Sequence, residues 1–101
     1  MTPRRVRFTA TAQGHVRRER AWWLENRNHV EVFATELEAA LRVLALLPGA
    51  GTIYARPGVA RVRRIYIPKV ACHIYYTFDE HEVIVRAFWG ARRRQGPRIE
   101  P

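Results

Sequence analysis

Apolar residues recur along the chain with two different periods, and the change of period separates strands from helices. Residues 4–10 (RRVRFTA) alternate between polar and apolar positions, which predicts a half-buried first strand. Thr9 or Thr11 is a suitable cap for a helix that follows. This first helix is predicted over 12–27. Its inner side is expected to hold Ala12, Val16, Trp23 and the stem of either Glu19 or Arg20.

A second helix has the clearest amphipathic pattern in the chain. Asn28 followed by Glu31 fits a capping box at its start, and Pro48-Gly49 ends it after Leu47. Between these signals the apolar residues repeat at the spacing of one helix face: Phe33, Leu37, Ala40, Leu41, Leu44 and Leu47. Because the break between the two helices is short, they are expected to form an antiparallel hairpin.

Residues 48–58 hold two prolines and three glycines, which predicts a loop. Three strands are then predicted over 60–67, 70–78 and 83–89. The middle strand alternates cleanly between an apolar face (Val70, Cys72, Ile74, Tyr76, Phe78) and a second face (Ala71, His73, Tyr75, Thr77). The last strand is apolar on both faces except at Arg86, which predicts a central position in the sheet.

The element order β-α-α-β-β-β predicts an α+β fold. A helical hairpin would pack on one face of a mostly antiparallel, twisted sheet. No predicted element remains to cover the other face, which is therefore expected to be partly open. The length of 101 residues fits a single domain over 1–101, with the fold within about 6–93 and a basic tail at 94–101.

The formal net charge of +9 comes almost entirely from arginine, since Lys69 is the single lysine among 18 Lys+Arg residues. The alternative explanation, codon usage in a GC-rich genome, concerns the choice of arginine over lysine and does not explain the positive excess. Arginine binds phosphate and carboxylate in bidentate fashion and stacks on flat rings. The composition therefore predicts a polyanionic partner, either nucleic acid or an acidic protein.

Cys72 is the single cysteine, so the sequence offers neither an intramolecular disulfide nor a zinc framework. The four histidines lack metal-ligand spacing, and no cofactor is expected. The glycines at 48–58 lack the lysine and Ser/Thr of a phosphate loop. Without an apolar leader or a long apolar run, the chain is expected to be cytoplasmic with no membrane partner.

Four segments in this order resemble the RelE/ParE superfamily of bacterial toxins. They are VRFTATA, LRVLALLPGAG, VRRIYIPKVACHIYYTFD and VIVRAFWGARR, and the match runs from about Val6 to Arg93. The resemblance implies a toxin neutralised by a small, acidic cognate antitoxin. RelE-like members cleave mRNA in the ribosome, whereas ParE-like plasmid stabilisation proteins act on DNA gyrase.

The closing segment distinguishes these two activities. Gly90 and Arg92 match the family pattern, but Trp89 stands where many ribosome-dependent members have histidine. Cleavage of RNA by its 2′-hydroxyl needs a general base and acid, and tryptophan carries no transferable proton. The resemblance therefore favours a ParE-like gyrase inhibitor without chemistry of its own. The alternatives are a RelE-like ribonuclease and an inactive relative that only binds antitoxin.

The candidate target- or phosphate-binding residues are the arginines of the last third: Arg61, Arg63, Arg64, Arg86, Arg92, Arg93 and Arg94. The bland alternatives are a charge-blunted strand edge for the first three and a solvated end for the last three. Arg86 is expected either to be exposed on the open sheet face or to pair with Glu82 or an acidic helix residue.

For a nuclease, the catalytic candidates are Arg61, Arg64, Arg86, Arg92, Tyr76 and His73. Of the adjacent Tyr75 and Tyr76, one is expected in the core and the other free to stack on a base. Antitoxin binding is predicted for Trp22, Tyr75 and Trp89. Trp22 and Trp23 cannot both occupy the core centre, so one of them is expected to mark an exposed apolar patch. Cys72 is expected to be an inert core residue.

Overall fold

The computed structural model describes residues 2–27, 29–55 and 61–99. Within them lie two α-helices and five strands: β1 (Arg5–Phe8), α1 (Ala10–Asn26), α2 (Val30–Leu46), β2 (Thr52–Ile53), β3 (Arg63–Ile67), β4 (Cys72–Phe78) and β5 (Glu82–Gly90). The predicted α+β class is confirmed. The pair Thr52–Ile53 is an additional short strand inside the predicted loop, whose last part at 56–58 lies outside the described residues.

The strand order is β1-β5-β4-β3-β2, with β1 parallel to β5 and every other pair antiparallel. The predicted central position of the last strand is confirmed, because β5 pairs with β1 on one side and β4 on the other. Burial on both faces explains why its sequence is apolar on both.

Both helices begin near their predicted starts, but only one has a side-chain cap. Thr9 caps α1 by accepting a hydrogen bond at Oγ1 from the Ala12 amide, at 3.1 Å. The N-cap of α2 is His29, which makes no cap bond through its side chain. The predicted cap, Asn28, lies outside the described residues. Leu47 was predicted on the apolar helix face; it follows the end of α2 and is exposed.

The main core lies between the helices and one face of the sheet. It is built from large side chains of both helices and the two longest strands: Trp23, Phe33, Leu44, Ile74, Tyr76, Val83, Val85 and Phe88. The apolar face predicted for the middle strand is the face that enters this core. Cys72 is fully buried there, and burial raises the pKa of its thiol to about 12, so the thiol stays protonated and unreactive.

The opposite face of the sheet, called the far face below, carries a second apolar cluster of Val62, Tyr75, Ala87 and Ile99, with Tyr54 and Trp89 against it. Ile99 comes from the C-terminal segment, whose Pro97 is also buried. The expectation that this face stays open is therefore wrong where residues 97–99 return over the sheet. Their apolar side chains are too sparse to show any periodic pattern.

A β-bulge in β5 determines where Arg86 lies. Tyr75 pairs with Ala87 and Tyr76 with Val85, so Arg86 has no partner position on β4. Because of the extra residue, the core-facing positions of β5 are Val83, Val85 and Phe88, and no longer every second residue. Arg86 is thereby left on the far face, beside Thr77.

Candidate functional site

A buried carboxylate at the centre of α1 fixes the end of β5. Glu19 lies on the inner side of the helix and its side chain is 0% exposed. Nη1 of Arg92 donates to Glu19 Oε1 at 2.5 Å, and Nε and Nη2 of Arg93 lie 3.0 and 2.9 Å from Oε2. Bidentate and charge-assisted bonds of this kind are the strong ones in proteins. Arg92 and Arg93, predicted as phosphate ligands of a tail, are held by this carboxylate instead.

Gly90 makes that arrangement possible. A Cβ built on Gly90 would lie 2.8 Å from Oε1 of Glu19 and closer still to the Arg92 guanidinium. Any side chain at position 90 would therefore push apart the two groups that form the ion pair. This packing explains a glycine at the end of a nine-residue strand.

Arginine–tryptophan stacks extend outward from the ion pair. The Arg92 guanidinium lies 4.1 Å from the Trp22 ring centroid, and Arg27 approaches the same ring at 5.4 Å. Arg18 and Arg93 each lie 4.9 Å from the centroid of Trp89. Cation–π contacts of this kind are favourable at such distances. One of Trp22 and Trp23 was expected to mark an exposed patch; Trp23 is buried, and Trp22 is half-buried beneath guanidinium groups.

Trp89 acts as a hydrogen-bond donor near the end of β5. The Trp89 indole donates from Nε1 to the Gln95 carbonyl at 2.5 Å, which ties the C-terminal segment to β5. His15 contacts the indole edge-on at 5.1 Å, and its Nδ1 accepts from the Phe88 amide at 3.3 Å. Burial and then the neighbouring Arg18 and Arg93 charges lower the pKa of His15. The imidazole is therefore neutral at pH 7, with one nitrogen already occupied.

Tyr75 and Tyr76 are both buried. The prediction that one of them is free to stack on a base is therefore wrong. The Tyr76 hydroxyl donates to the Pro48 carbonyl at 2.6 Å and accepts from the Gly51 amide at 2.9 Å. Burial raises the pKa of Tyr76, which keeps its proton on the oxygen. The hydroxyl therefore anchors the loop after α2, and it is not presented to solvent for proton transfer. Tyr75 is 3% exposed beneath Tyr54 and Ile99.

Arg64 and His73 lie together on the far face. Arg64 pairs with Tyr75 across β3 and β4, and its guanidinium is 5.3 Å from the Tyr54 ring centroid and 6.0 Å from that of Tyr75. His73 faces Tyr66 at 4.8 Å between ring centroids. Burial, followed by the charge of Arg64, lowers the pKa of His73. The structure thus brings these two predicted catalytic residues into one pocket, of about 220 Å³.

The remaining candidate arginines are separated from that pocket. Arg61 and Arg63 line a different cavity of about 450 Å³ with Ile53 and Phe78. Arg61 has a φ of 64°, in the left-handed region that is costly for a residue with a side chain. Arg63 donates to the Gly51 carbonyl at 2.8 Å. Arg94, beyond the ion pair with Glu19, is exposed.

Arg86 was expected either to be exposed on the open sheet face or to form an ion pair. It forms a hydrogen bond with a neutral side chain. Its Nε donates to the Thr77 hydroxyl at 2.9 Å on the far face. The predicted partner Glu82 pairs with Arg7 at 3.0 Å, one strand away. No carboxylate of the described residues pairs with Arg86, so its half-buried charge remains available on this face.

Glu19 is the residue whose importance the sequence did not reveal. Its spacing from Ala12 and Trp23 placed it on the inner helix side, and a carboxylate there requires a buried cation. The partners follow more than seventy positions later, too far for any local pattern to identify them.

Within residues 2–27, 29–55 and 61–99, no three His, Cys, Asp or Glu side chains come together as metal ligands. Neither α1 nor α2 is long and apolar enough to cross a membrane.

Comparison with known proteins identifies the fold through structure alone. No protein-family model and no curated protein matches the sequence. Among solved structures, the fold is similar to a chain described as a chromosomal ParDE TA system from P. aeruginosa, with a TM-score of 0.70. The match covers 88% of this chain and 97% of that one, at 11% sequence identity. At this identity the likeness establishes a shared fold and nothing finer.

Proposed function

We propose that this protein is the toxin component of a ParE-like toxin–antitoxin system, which inhibits DNA gyrase by binding and is neutralised by a cognate antitoxin. The proposal rests on two observations: the fold is shared with a ParDE chain, and a tryptophan, Trp89, lies near the end of β5. By the resemblance, Trp89 stands where many ribosome-dependent members have histidine, and its one polar atom is bonded to Gln95. A residue so placed supports binding rather than acid–base chemistry.

The surroundings of Trp89 also favour binding. Arg92 directs Nη1 to Glu19, and Arg93 directs Nε and Nη2 to it, so these donors are not free to bind a scissile phosphate. Tyr76 keeps its hydroxyl in the core. Two of the six catalytic candidates of the nuclease hypothesis, Arg92 and Tyr76, are thus committed to the fold.

An acidic partner with apolar residues suits the surface of the helical hairpin. Leu24 is 59% exposed in a groove of about 510 Å³ that also contains Arg17, Arg20, Ala21 and Val30. An exposed leucine flanked by arginines favours an amphipathic segment that carries carboxylates beside its apolar residues. Of the predicted antitoxin contacts, Trp22 and Trp89 are half-buried and accessible, whereas Tyr75 lies beneath the C-terminal segment.

A RelE-like ribonuclease is the second candidate, and one observation favours it. His73 is neutral at pH 7 and shares its pocket with Arg64, so a general base and a phosphate ligand stand side by side. An enzyme built on this pair would require both residues. Binding to gyrase does not require a basic imidazole.

Induction of the chain alone in a bacterium tests both candidates. Plasmid supercoiling, SOS induction and mRNA integrity are followed from the earliest times, with the wild type and His73→Gln. DNA breaks without mRNA cuts, unaffected by His73→Gln, are the expected result. Early mRNA cuts with normal supercoiling, lost in His73→Gln, would replace gyrase inhibition with the nuclease function.

A purified-component assay and a genetic control complete the test. The chain is added to a gyrase supercoiling reaction, with Glu25→Gln as a control that removes an exposed charge from α1. Growth arrest should be relieved by co-expression of a small acidic protein encoded beside the toxin. The absence of any growth defect, combined with tight binding of that protein, would identify an inactive relative.

A further inference from the structure

The cavity of about 450 Å³ lies at the rim of the sheet, on the face that packs against the helices. Its described walls are two arginines and two apolar residues: Arg61, Arg63, Ile53 and Phe78. The register explains this position, because Arg63 pairs with Ile53 on one side and with Tyr76 on the other, and paired residues share a face. Tyr76 belongs to the main core. This rim cavity therefore opens on the opposite face from the pocket of Arg64 and His73.

Arg63 is positioned in the wall of the rim cavity by its neighbours. Its Nη1 donates to the Gly51 carbonyl at 2.8 Å, and its guanidinium lies 6.0 Å from the Phe78 ring centroid. The Tyr76 hydroxyl holds the same loop by accepting from the Gly51 amide at 2.9 Å. Among the described residues, Nε and Nη2 of Arg63 have no hydrogen-bond partner. A complete fork of donors is therefore left for a ligand.

Arg61 is held in a costly backbone conformation beside this fork. Its φ of 64° lies in the left-handed region, which glycine adopts freely and arginine does not. Strained residues of this kind concentrate at ligand sites, where the surrounding structure holds them. No carboxylate of the described residues pairs with Arg61 or Arg63. Two uncompensated guanidinium charges therefore line one cavity.

Two arginine forks in one cavity fit a dianion better than a single negative charge. A carboxylate has two oxygens, which one arginine fork is enough to bind. A phosphate monoester has three terminal oxygens and a charge of about −1.5 to −2 at pH 7. A phosphodiester of a nucleic-acid backbone has only one negative charge. The two arginines of the rim cavity therefore match a monoester both in charge and in the number of acceptor oxygens.

The rest of the wall is apolar and open to solvent. Ile53 is 72% exposed, the largest fraction among the exposed large apolar residues of the described chain. The Phe78 ring lies on the same cavity. A volume of about 450 Å³ falls within the usual range of small-molecule sites, so a ring and its phosphate fit together. This wall suits a phosphate that is joined to a planar or apolar group.

We propose that the rim cavity binds a small phosphate monoester, with its phosphate between Arg61 and Arg63 and its organic group against Phe78 and Ile53. This site does not depend on gyrase inhibition and uses no residue of the Glu19 ion pair. The sequence predicted only that the two arginines bind a phosphate or a target. The cavity adds the class of ligand, a free dianion with a ring-sized apolar part. Aryl phosphates and nucleoside monophosphates share this chemistry.

Isothermal titration calorimetry of the full chain tests the site, with phenyl phosphate, AMP, inorganic phosphate and benzoate as probes. Phenyl phosphate should bind more tightly than inorganic phosphate, because only its ring reaches the apolar wall. Benzoate has the ring but a single charge, so it should bind at least about tenfold more weakly than phenyl phosphate. Binding of phenyl phosphate should weaken below about pH 6, where the phosphate loses its second charge. Tighter binding of AMP or of phenyl phosphate would identify a purine-sized or a single-ring ligand.

Matched variants separate the site from general positive charge. Arg63→Gln should weaken phenyl phosphate binding about 10- to 150-fold, because charge-assisted hydrogen bonds are lost. Arg42→Gln removes an exposed arginine from α2 and should stay within about twofold of the wild type. Arg61→Lys keeps the charge without the fork, so its affinity should lie between those of the wild type and Arg61→Gln. Ile53→Ala should reduce the preference for phenyl phosphate over inorganic phosphate and leave inorganic phosphate binding unchanged.

Arg61→Gly distinguishes a ligand-binding role from a structural one. This change removes the guanidinium and relieves the backbone strain together. The variant should lose phenyl phosphate binding as Arg61→Gln does, while its Tm, measured by circular dichroism, should not fall. A lowered Tm with unchanged affinity would show that Arg61 serves the fold and would overturn its assignment to the site.

Four other results would overturn the proposal. Benzoate bound as tightly as phenyl phosphate would exclude a preference for a dianion. Binding that survives Arg61→Gln combined with Arg63→Gln would show that the anion lies elsewhere. Displacement of phenyl phosphate by oligo(dT) without a terminal phosphate, which contains only diesters, would assign the cavity to a nucleic-acid backbone. The absence of binding by both phenyl phosphate and AMP at about 10 mM would exclude the site.

Discussion

The ion pair of Glu19 with Arg92 and Arg93 leads to the sharpest stability prediction. Glu19→Gln keeps the shape of the side chain but replaces one carboxylate oxygen with a donor group. One arginine then faces an N–H instead of an acceptor. Breaking a buried ion pair costs about 3–5 kcal/mol. The arginine side chains are 34% and 28% exposed and can turn toward water, which reduces the expected loss to about 2–4 kcal/mol.

Thermal unfolding followed by circular dichroism measures this loss. For a domain of this size each kcal/mol shifts Tm by about 4–8 °C, so Glu19→Gln should lower Tm by roughly 10–25 °C. The control is Glu25→Gln, an exposed residue of the same helix, which should stay within about 0.5 kcal/mol of the wild type.

A double substitution tests the reasoning from the other side. Arg92→Met with Arg93→Met leaves the Glu19 carboxylate in the core, where its remaining hydrogen-bond partner among the described residues is the weak Cys72 thiol donor at 3.9 Å. A bare buried charge is costlier than two arginines that can reach water, so this variant should be less stable than Glu19→Gln. A Tm for Glu19→Gln within about 3 °C of the wild type would refute the argument, as would a double variant more stable than Glu19→Gln.

Three other predictions concern separate features. Gly90→Ala should lower Tm by more than 5 °C, or about 1 kcal/mol, because its methyl group would meet the Glu19 ion pair; a Tm equal to the wild type would show that the groups can move apart. Tyr76→Phe should cost about 1–3 kcal/mol in urea unfolding, since a loop carbonyl and a loop amide both lose their partner in the core. Burial and arginine charges lower the pKa of His15 and His73 below their ordinary value of 6.5, so on acidification the unfolded chain takes up these protons before the folded chain does. The free energy of unfolding should therefore decrease as the pH falls through 6.5. Replacing both histidines with glutamine should flatten that slope, and an unchanged slope would contradict the assignment.

Local periodicity was sufficient for the main elements. The alternation in β4 predicted which face enters the core, and the two-sided apolar character of β5 predicted its central place. Thr9 was one of two predicted caps for α1, and it is the one that forms the bond. Each of these signals lies within a few residues of the structure it specifies.

Features that depend on distant residues were missed. The two-residue strand β2 is too short to have a period, and its pairing depends on β3. The burial of Ile99 on the far face depends on Tyr75 and Ala87, which the sequence of the C-terminal segment does not indicate. Arg92 and Arg93 were predicted to bind phosphate, because a run of arginines in the sequence does not show that two of them pair with Glu19 on α1.

The candidate site also depends on residues that are distant in sequence, so it was predicted only in part. Arg64 and His73 were predicted and lie in one pocket, but Tyr66 was not singled out. Its ring becomes significant only through register, which places it against His73. The two faces of a strand can be predicted from sequence, but the neighbour that each side chain meets across the sheet cannot.

The parallel pairing of β1 with β5 also constrains how the protein is made. Arg5 pairs with Glu82, so the first strand to leave the ribosome must wait for the last one before the sheet can close. Pairings between residues so far apart in sequence form slowly, because the intervening chain must first be ordered. During synthesis the helices can form while their apolar faces have no sheet to cover. A chain cut before β5 would lack the strand that joins both halves of the sheet, so nascent or truncated forms should be targets for chaperones and proteases.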